Sequence, residues 1–240
     1  SIAQVRTFEH EQTSKILAHD GRQIREFGFE RRTPVSINAL PEYVPQAVIA
    51  VEDKRFYRHG GFDPRSIARA VYGVLTFQSG SMGGGSTITQ QLARNMFDQI
   101  GFQRLYVRKL KEVQVALDLE RSYTKDQILE AYLNEIWMGG GYGFQSAARN
   151  YLGKNITDVN VAEAALLAAI LNRPGAYDPF RNPERARARR DLVLRRMAEE
   201  GYLTREEAEG WQGFPLPESK PGGVIASVAP FFEEAERQIH

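Results

Sequence analysis

Three clusters of residues in this chain could do chemistry. Glu52-Asp53 opens the run Glu52-Asp53-Lys54-Arg55-Phe56-Tyr57-Arg58-His59-Gly60-Gly61. A carboxylate beside apolar Val48, Val51 and Phe56 can have a raised pKa and act as a general acid or base. It can equally be a solvated ion-pair partner of Lys54 or Arg55. The second cluster, Gly84-Gly85-Ser86-Thr87-Ile88-Thr89-Gln90-Gln91-Leu92-Ala93-Arg94-Asn95, runs from flexible glycines into a helix start. Thr87 and Gln90 have the spacing of a capping box. Free N–H groups there, beside Ser86, Thr87 and Arg94, suit an anion such as phosphate. The plainer reading is an ordinary capped helix after a loop. No Lys-Ser/Thr pair follows the glycines, which excludes a P-loop. In the third cluster, Arg108 and Lys109 lie four and three residues before Glu112, so all three heads share one side of a helix. They read either as an ion-paired helix face or as two cations for a diphosphate with one carboxylate among them.

Helices are needed to position these groups. Tyr43–Val51 is an apolar helical stretch that ends at Glu52. Asp63-Pro64 is an N-cap with proline at the first helical position, opening a helix to about Leu75. Residues 76–85 form a loop, and Thr87 to about Phe97 the next helix. Residues 104–121 form another, with Leu110, Val113 and Leu117 on one face. Thr124 with Gln127, Asn160 with Glu163, and Thr204 with Glu207 are further capping-box spacings. Asn182-Pro183 starts a helix and Gly201 ends it. Lys15–Ala18 and Gln23–Phe29 flank Asp20-Gly21, a hairpin turn signal. The expected fold is mainly α, with eight or more short helices and a small N-terminal β element. The expected division is residues 1–40 as β/linker segment, 41–212 as the helical domain and 213–240 as a second linker.

Composition narrows the function classes. With 240 residues the chain can bury a sizeable core, and its net charge of +1 gives no global case for nucleic acid. There is no cysteine, so thiol chemistry is excluded, and the four histidines are too scattered for a zinc site. No apolar run reaches the length of a membrane span and no signal peptide is visible.

Together these residues resemble a known family. Glu52-Asp53-x-x-Phe56-x-x-His59-x-Gly61 is similar to the first motif of the peptidoglycan glycosyltransferases of family 51, the lysozyme-like domain of class A penicillin-binding proteins. Gly85-Ser86-Thr87-Ile88-Thr89-Gln90-Gln91-Leu92-x-x-Asn95 resembles the second. Arg108-Lys109-x-x-Glu112-x-x-x-Ala116-x-x-x-Glu120 resembles the third. Leu129-Glu130-x-Tyr132-Leu133-Asn134, with Gly139–Gly143, resembles the fourth. Glu163-Ala164-Ala165-Leu166-Leu167, Tyr177-Asp178-Pro179 and Arg189-Arg190-x-x-Val193-Leu194 resemble the fifth. The chain departs from the family pattern at Asp178, usually Asn, and at Arg94, often Lys.

The resemblance implies a lysozyme-like glycosyltransferase fold and a polymerase of lipid II. Glu52 would be the general base and Glu112 would assist leaving-group departure, directly or by holding Mg²⁺ or Mn²⁺ shared with the substrate diphosphate; no closed metal cage is expected. Asp53, Ser86, Thr87, Gln90, Gln91, Arg94, Asn95, Arg108 and Lys109 would bind substrate. Expected partners are lipid II and the growing glycan, the bacterial membrane surface, moenomycin-type inhibitors and other cell-wall synthesis proteins, with no nucleic acid. The expected location is the outer, periplasmic face of the cytoplasmic membrane, with the membrane anchor outside this chain. Val74, Leu75, Phe77, Met96, Phe97, Ile100, Phe102, Leu105 and Tyr106 read as core or, by the resemblance, as a lobe that dips into the bilayer. Ser122-Tyr123-Thr124-Lys125 matches a transpeptidase Ser-x-x-Lys, but no Lys-Thr-Gly accompanies it and the segment belongs to a helix cap. No transpeptidase activity is expected. The alternative function is a lysozyme-like lytic enzyme or hydrolase acting on peptidoglycan.

Overall fold

A computed structural model of the protein describes residues 14–17, 23–27, 34–65, 85–98 and 105–221; the side chains of both strands, of 96–98 and of 105–108 lie outside that description. Strands β1 (Ser14–Leu17) and β2 (Gln23–Phe27) pair antiparallel, with Lys15 opposite Glu26 and a register irregularity at Ile16/Leu17. Eight α-helices follow among the described residues. They are α1 (Tyr43–Glu52), α2 (Ile88–Asp98), α3 (Leu105–Ser122), α4 (Lys125–Glu135), α5 (Gly143–Ala147), α6 (Val161–Asn172), α7 (Pro183–Glu199) and α8 (Arg205–Gln212). The mainly α expectation with a small β element holds.

Helix α6 is the centre of the fold. Its sequence is apolar on every side, and each residue from Val161 to Leu171 is buried, as expected of a helix surrounded by others. Its alanines let α1 and α7 approach closely. Helix α1 buries Val44, Ala47, Val48, Ile49 and Ala50. Helix α7 buries Ala186, Arg190, Val193, Leu194 and Met197, and α8 packs on α7. A second group, α2 with α3 and α4, stands at the far end of α1.

The local start and stop signals act where the spacing places them. Thr124, Asn160 and Thr204 each form a complete capping box. Asn182-Pro183 opens α7 with proline in its first turn, although the Asn182 side chain makes no cap bond. Gly201 closes α7 in a Schellman arrangement: its N–H reaches the Ala198 carbonyl and the Tyr202 N–H reaches the Met197 carbonyl.

Three features add to what the sequence specified. The face of α3 carrying Leu110 and Leu117 looks outward, with exposures of 73% and 37%, while Glu112, Ala116 and Leu119 face the protein. Periodicity identified the helix but not its buried side. Residues 34–40 are tied to α4: the Val35 N–H and carbonyl both bond the Asn134 side chain, and the Ile37 N–H reaches Glu130. At the other end, buried Arg190 donates to the carbonyls of Gln212 and Phe214 and so docks the start of the second linker on α7.

Other expectations fall outside the described residues. They are the Asp20-Gly21 turn, the helix from Pro64 to Leu75 beyond residue 65, the loop 76–84, and the apolar residues Val74, Leu75, Phe77, Ile100 and Phe102. The side chains of Met96, Phe97, Leu105 and Tyr106 do as well.

Candidate active site

Glu52 is the last residue of α1. Its Oε2 accepts a hydrogen bond of 2.9 Å from Gln91 Nε2, and Gln91 Oε1 accepts one of 2.9 Å from the Tyr132 hydroxyl. Oε1 of Glu52 is shielded and has no partner within hydrogen-bond distance, although the Asn172 amide lies near enough to act on the carboxyl. Burial pushes the Glu52 carboxyl above the ordinary glutamate range. The Gln91 hydrogen bond, the Arg189 charge and the Asn172 amide pull it partly back, and Asp53 adds a small upward push. The ion-pair alternative is not realised, because Lys54 pairs with Glu200 at 3.2 Å and Arg55 with Asp63 at 3.5 Å.

Asp53 points elsewhere. The backbone leaves the helix at this residue (φ −156°, ψ 73°), so neighbouring carboxylates diverge. Both Asp53 oxygens lie 2.9 Å from His59 Nε2, and Oδ2 also accepts the Ile88 N–H at the start of α2. Thr87 is the N-cap of α2 and receives the Gln90 N–H, but the reciprocal half of the expected capping box is absent. The Gln90 side chain instead donates to the Gly61 carbonyl, as does the Thr87 hydroxyl. Gly61 has φ +82°, and a Cβ there would sit 2.9 Å from the Ala116 carbonyl oxygen, so only glycine fits. Asp53, Thr87 and Gln90 are therefore all buried, their polar atoms engaged within the protein. Their geometry is that of a frame joining α1, α2 and α3.

Gln91, Arg94 and Asn95 share one face of α2, being three and four residues apart. Arg94 Nε and Nη2 donate to Glu112 Oε1 and Oε2 at 3.0 and 3.3 Å. Lys109 Nζ donates to Glu112 Oε2 at 3.2 Å, to Ser86 Oγ at 2.9 Å and to Gln90 Oε1 at 3.0 Å. Glu112 is 1% exposed, whereas the two cations keep 37% and 44% of their side-chain surface in solvent. Burial pushes the Glu112 carboxyl up, but the Arg94 and Lys109 contacts outweigh it and hold the carboxyl below its usual range. The result is an ionised carboxylate presenting two accessible cations. Asn95 Nδ2 is shielded without a partner, and the Arg108 side chain lies outside the described residues.

A resident divalent cation fits this donor set poorly. Both Glu112 oxygens are held by cationic groups that would repel a metal, and no cluster of three His, Cys, Asp or Glu capable of holding one occurs among the described residues. Glu112 suits the orientation of Arg94 and Lys109 better than proton donation, since those cations keep it ionised.

Three site residues escaped the sequence reading: Tyr132, Asn172 and Arg189. Arg189 stacks on Tyr177 at 5.6 Å and acts on Glu52, while its neighbour Arg190 is turned into the scaffold. The pair Arg189-Arg190 was visible, but nothing local told which one faces the site. Lys125 of the Ser-x-x-Lys segment pairs with Glu120 at 2.7 Å and covers the Phe56 ring, which fits the helix-cap assignment.

Comparison with known proteins gives a consistent picture. The chain is 46% identical over 205 residues to penicillin-binding protein 1F of Bacillus subtilis, covering 85% of this chain and 28% of that protein. It is 44% identical to penicillin-binding protein 1A of Aquifex aeolicus, over 87% of this chain and 28% of that one. It is 40% identical to penicillin-binding protein 1A of Escherichia coli, over 93% and 26%. The chain thus spans between a quarter and a third of the length of these relatives. The crystal structure of penicillin-binding protein 1A from Haemophilus influenzae shares the fold, with a TM-score of 0.53 and 23% identity over 95% of this chain and 25% of that one. The transglycosylase family model matches residues 20–198. That match covers most of the chain and both sides of the Glu52 site, so the chain belongs to the transglycosylase family, as the glycosyltransferase domain of a class A penicillin-binding protein.

Proposed function

We propose that this chain polymerises lipid II into β-1,4-linked glycan. The observation that supports this most is the pairing of a half-free carboxylate with a cationic clamp across one face of α2. Glu52 has one oxygen held by Gln91 and one unpartnered. Arg94 stands one turn further along the same helix, about 4.5 Å in axial rise. In the proposed reaction Glu52 takes the proton from the 4-hydroxyl of the acceptor GlcNAc. That oxygen attacks C1 of the MurNAc at the reducing end of the growing chain. The α-linked diphosphate leaves, the β bond forms, and configuration inverts. A raised pKa makes Glu52 a stronger base while it stays ionised. Arg94 and Lys109, with Arg108 of the same motif, would neutralise the leaving diphosphate. Glu112 would hold the first two in place. A divalent cation, where used, would arrive with the diphosphate rather than reside in the protein.

The same reading places the chain at the periplasmic face of the cytoplasmic membrane, because lipid II is anchored there. No helix among the described residues is long and apolar enough to cross a membrane. Moenomycin-type phosphoglycolipids would compete for the same clamp. The deciding experiment incubates the purified chain with lipid II and resolves the products by size. Polymer with released undecaprenyl diphosphate supports the proposal. Cleavage of preformed glycan without polymer formation would support the lytic alternative instead.

A further inference from the structure

We propose that Tyr132 is a positioning residue for Glu52: its hydroxyl fixes the Gln91 amide so that Glu52 keeps one held and one free carboxylate oxygen. The kinetic consequence rests on the base role of Glu52 proposed above, but the geometry does not.

A primary amide can present either its oxygen or its NH₂ to a neighbour by rotating half a turn. Facing an ionised carboxylate, only the NH₂ end is attractive. Once Gln91 Nε2 faces Glu52 Oε2 at 2.9 Å, Gln91 Oε1 must find a donor on its other side. The Tyr132 hydroxyl supplies it at 2.9 Å. Tyr132 is fully buried, so water does not replace this donor, and it comes from α4 while Gln91 comes from α2 and Glu52 from α1. The chain Tyr132–Gln91–Glu52 thus crosses three helices and ends on one oxygen of the carboxylate. With Oε2 occupied, Oε1, shielded and without a partner within hydrogen-bond distance, is the oxygen left to take the proton in the proposed reaction.

Other groups also face Glu52. Asp53 sits beside it, Arg189 reaches it from α7 and Asn172 from α6, and Arg94 acts on Tyr132. None of these holds the Gln91 oxygen among the described contacts. Burial and the nearby carboxylates raise the Tyr132 hydroxyl well above its ordinary range, so it is a protonated donor at neutral pH.

Tyr132→Phe removes only the donor oxygen. The Gln91 amide then has no reason to keep its orientation and the Glu52 carboxylate loses part of its stabilisation. The Glu52 carboxyl, followed by ¹³C titration of the 240-residue chain, is expected to shift upward by roughly half a unit to one unit. In the lipid II assay, kcat should fall about tenfold with KM within about twofold, and the acid limb of the pH profile should move up with the titration. Tyr43→Phe is the matched control, since its hydroxyl bonds the Val159 carbonyl at 2.6 Å away from Glu52. It should lower stability and leave the Glu52 titration alone. Gln91→Met keeps length and removes both amide ends, so it should move Glu52 the same way even if Tyr132→Phe folds poorly. On the Gln91→Met background Tyr132→Phe should add nothing.

An unmoved Glu52 titration in Tyr132→Phe or in Gln91→Met overturns the inference, and so does an equal shift in Tyr43→Phe. Full polymerisation by Glu52→Gln would remove the base role but leave the titration result standing, so the two failures are distinguishable.

Discussion

His59 Nε2 stands 2.9 Å from each carboxylate oxygen of Asp53, and both side chains are almost completely shielded. Because Asp53 Oδ2 also accepts the Ile88 N–H, this pair ties the end of α1 to the start of α2. The tie holds the start of the helix that carries Gln91, three residues before the side chain that meets Glu52.

His59→Ala should therefore destabilise the fold, by about 1–3 kcal/mol for a buried hydrogen-bonded group left unpaired. Denaturant unfolding would show a lower midpoint with an unchanged slope. A midpoint equal to that of the unaltered chain would mean the tie is not structural.

Glu52→Gln should cut polymerisation by roughly 10²–10⁴. It should also raise stability at neutral pH. A carboxyl whose folded pKa lies above its unfolded one costs nothing when protonated in both states. The cost grows as pH rises through the unfolded value and is complete above the folded value. The melting-temperature advantage of the variant should thus be present at pH 7 and vanish near pH 3, on the order of one unit below the ordinary glutamate value. An advantage independent of pH would assign it to packing.

Glu112 has the opposite sign. Its lowered pKa contributes stability above the unfolded value, and that contribution is lost as pH falls through the folded value. Glu112→Gln should cost about 1–3 kcal/mol, less than a fully buried pair because Lys109 and Arg94 can return to water. It should also weaken binding of diphosphate ligands, as should Lys109→Ala; calorimetric titration with a soluble diphosphate-sugar analogue reads this directly. Unchanged affinity in both variants would remove the clamp from this helix.

Gly61→Ala places a methyl group only 2.9 Å from the Ala116 carbonyl oxygen and strains a positive φ. The Gly61 carbonyl also anchors Thr87 and Gln90. A loss of roughly 2–4 kcal/mol is expected by thermal unfolding. A loss below about 0.5 kcal/mol, the range of ordinary surface changes, would show that the segment shifts freely.

The sequence by itself determined what depends on near neighbours. Thr124–Gln127, Asn160–Glu163 and Thr204–Glu207 cap their helices as their spacing requires, because both partners lie within one turn and no distant contact competes. It also determined the family, since five motifs in order describe one arrangement of residues. Only the tertiary structure decided direction. Thr87 and Gln90 have capping-box spacing too, yet Gln90 turns to the Gly61 carbonyl and to Lys109, because a buried carbonyl and a cation are stronger partners than its own N-cap. Glu52 and Asp53 are adjacent and chemically alike; one reaches the site and the other the frame, because the helix ends between them. Leu110 and Leu117 mark α3 as a helix, but its inner side belongs to Glu112, whose burial is offset by Arg94, which lies 18 residues away along the chain. Tyr132 gave no local sign of its role, for its partner Gln91 lies 41 residues away and the relay exists only once three helices meet.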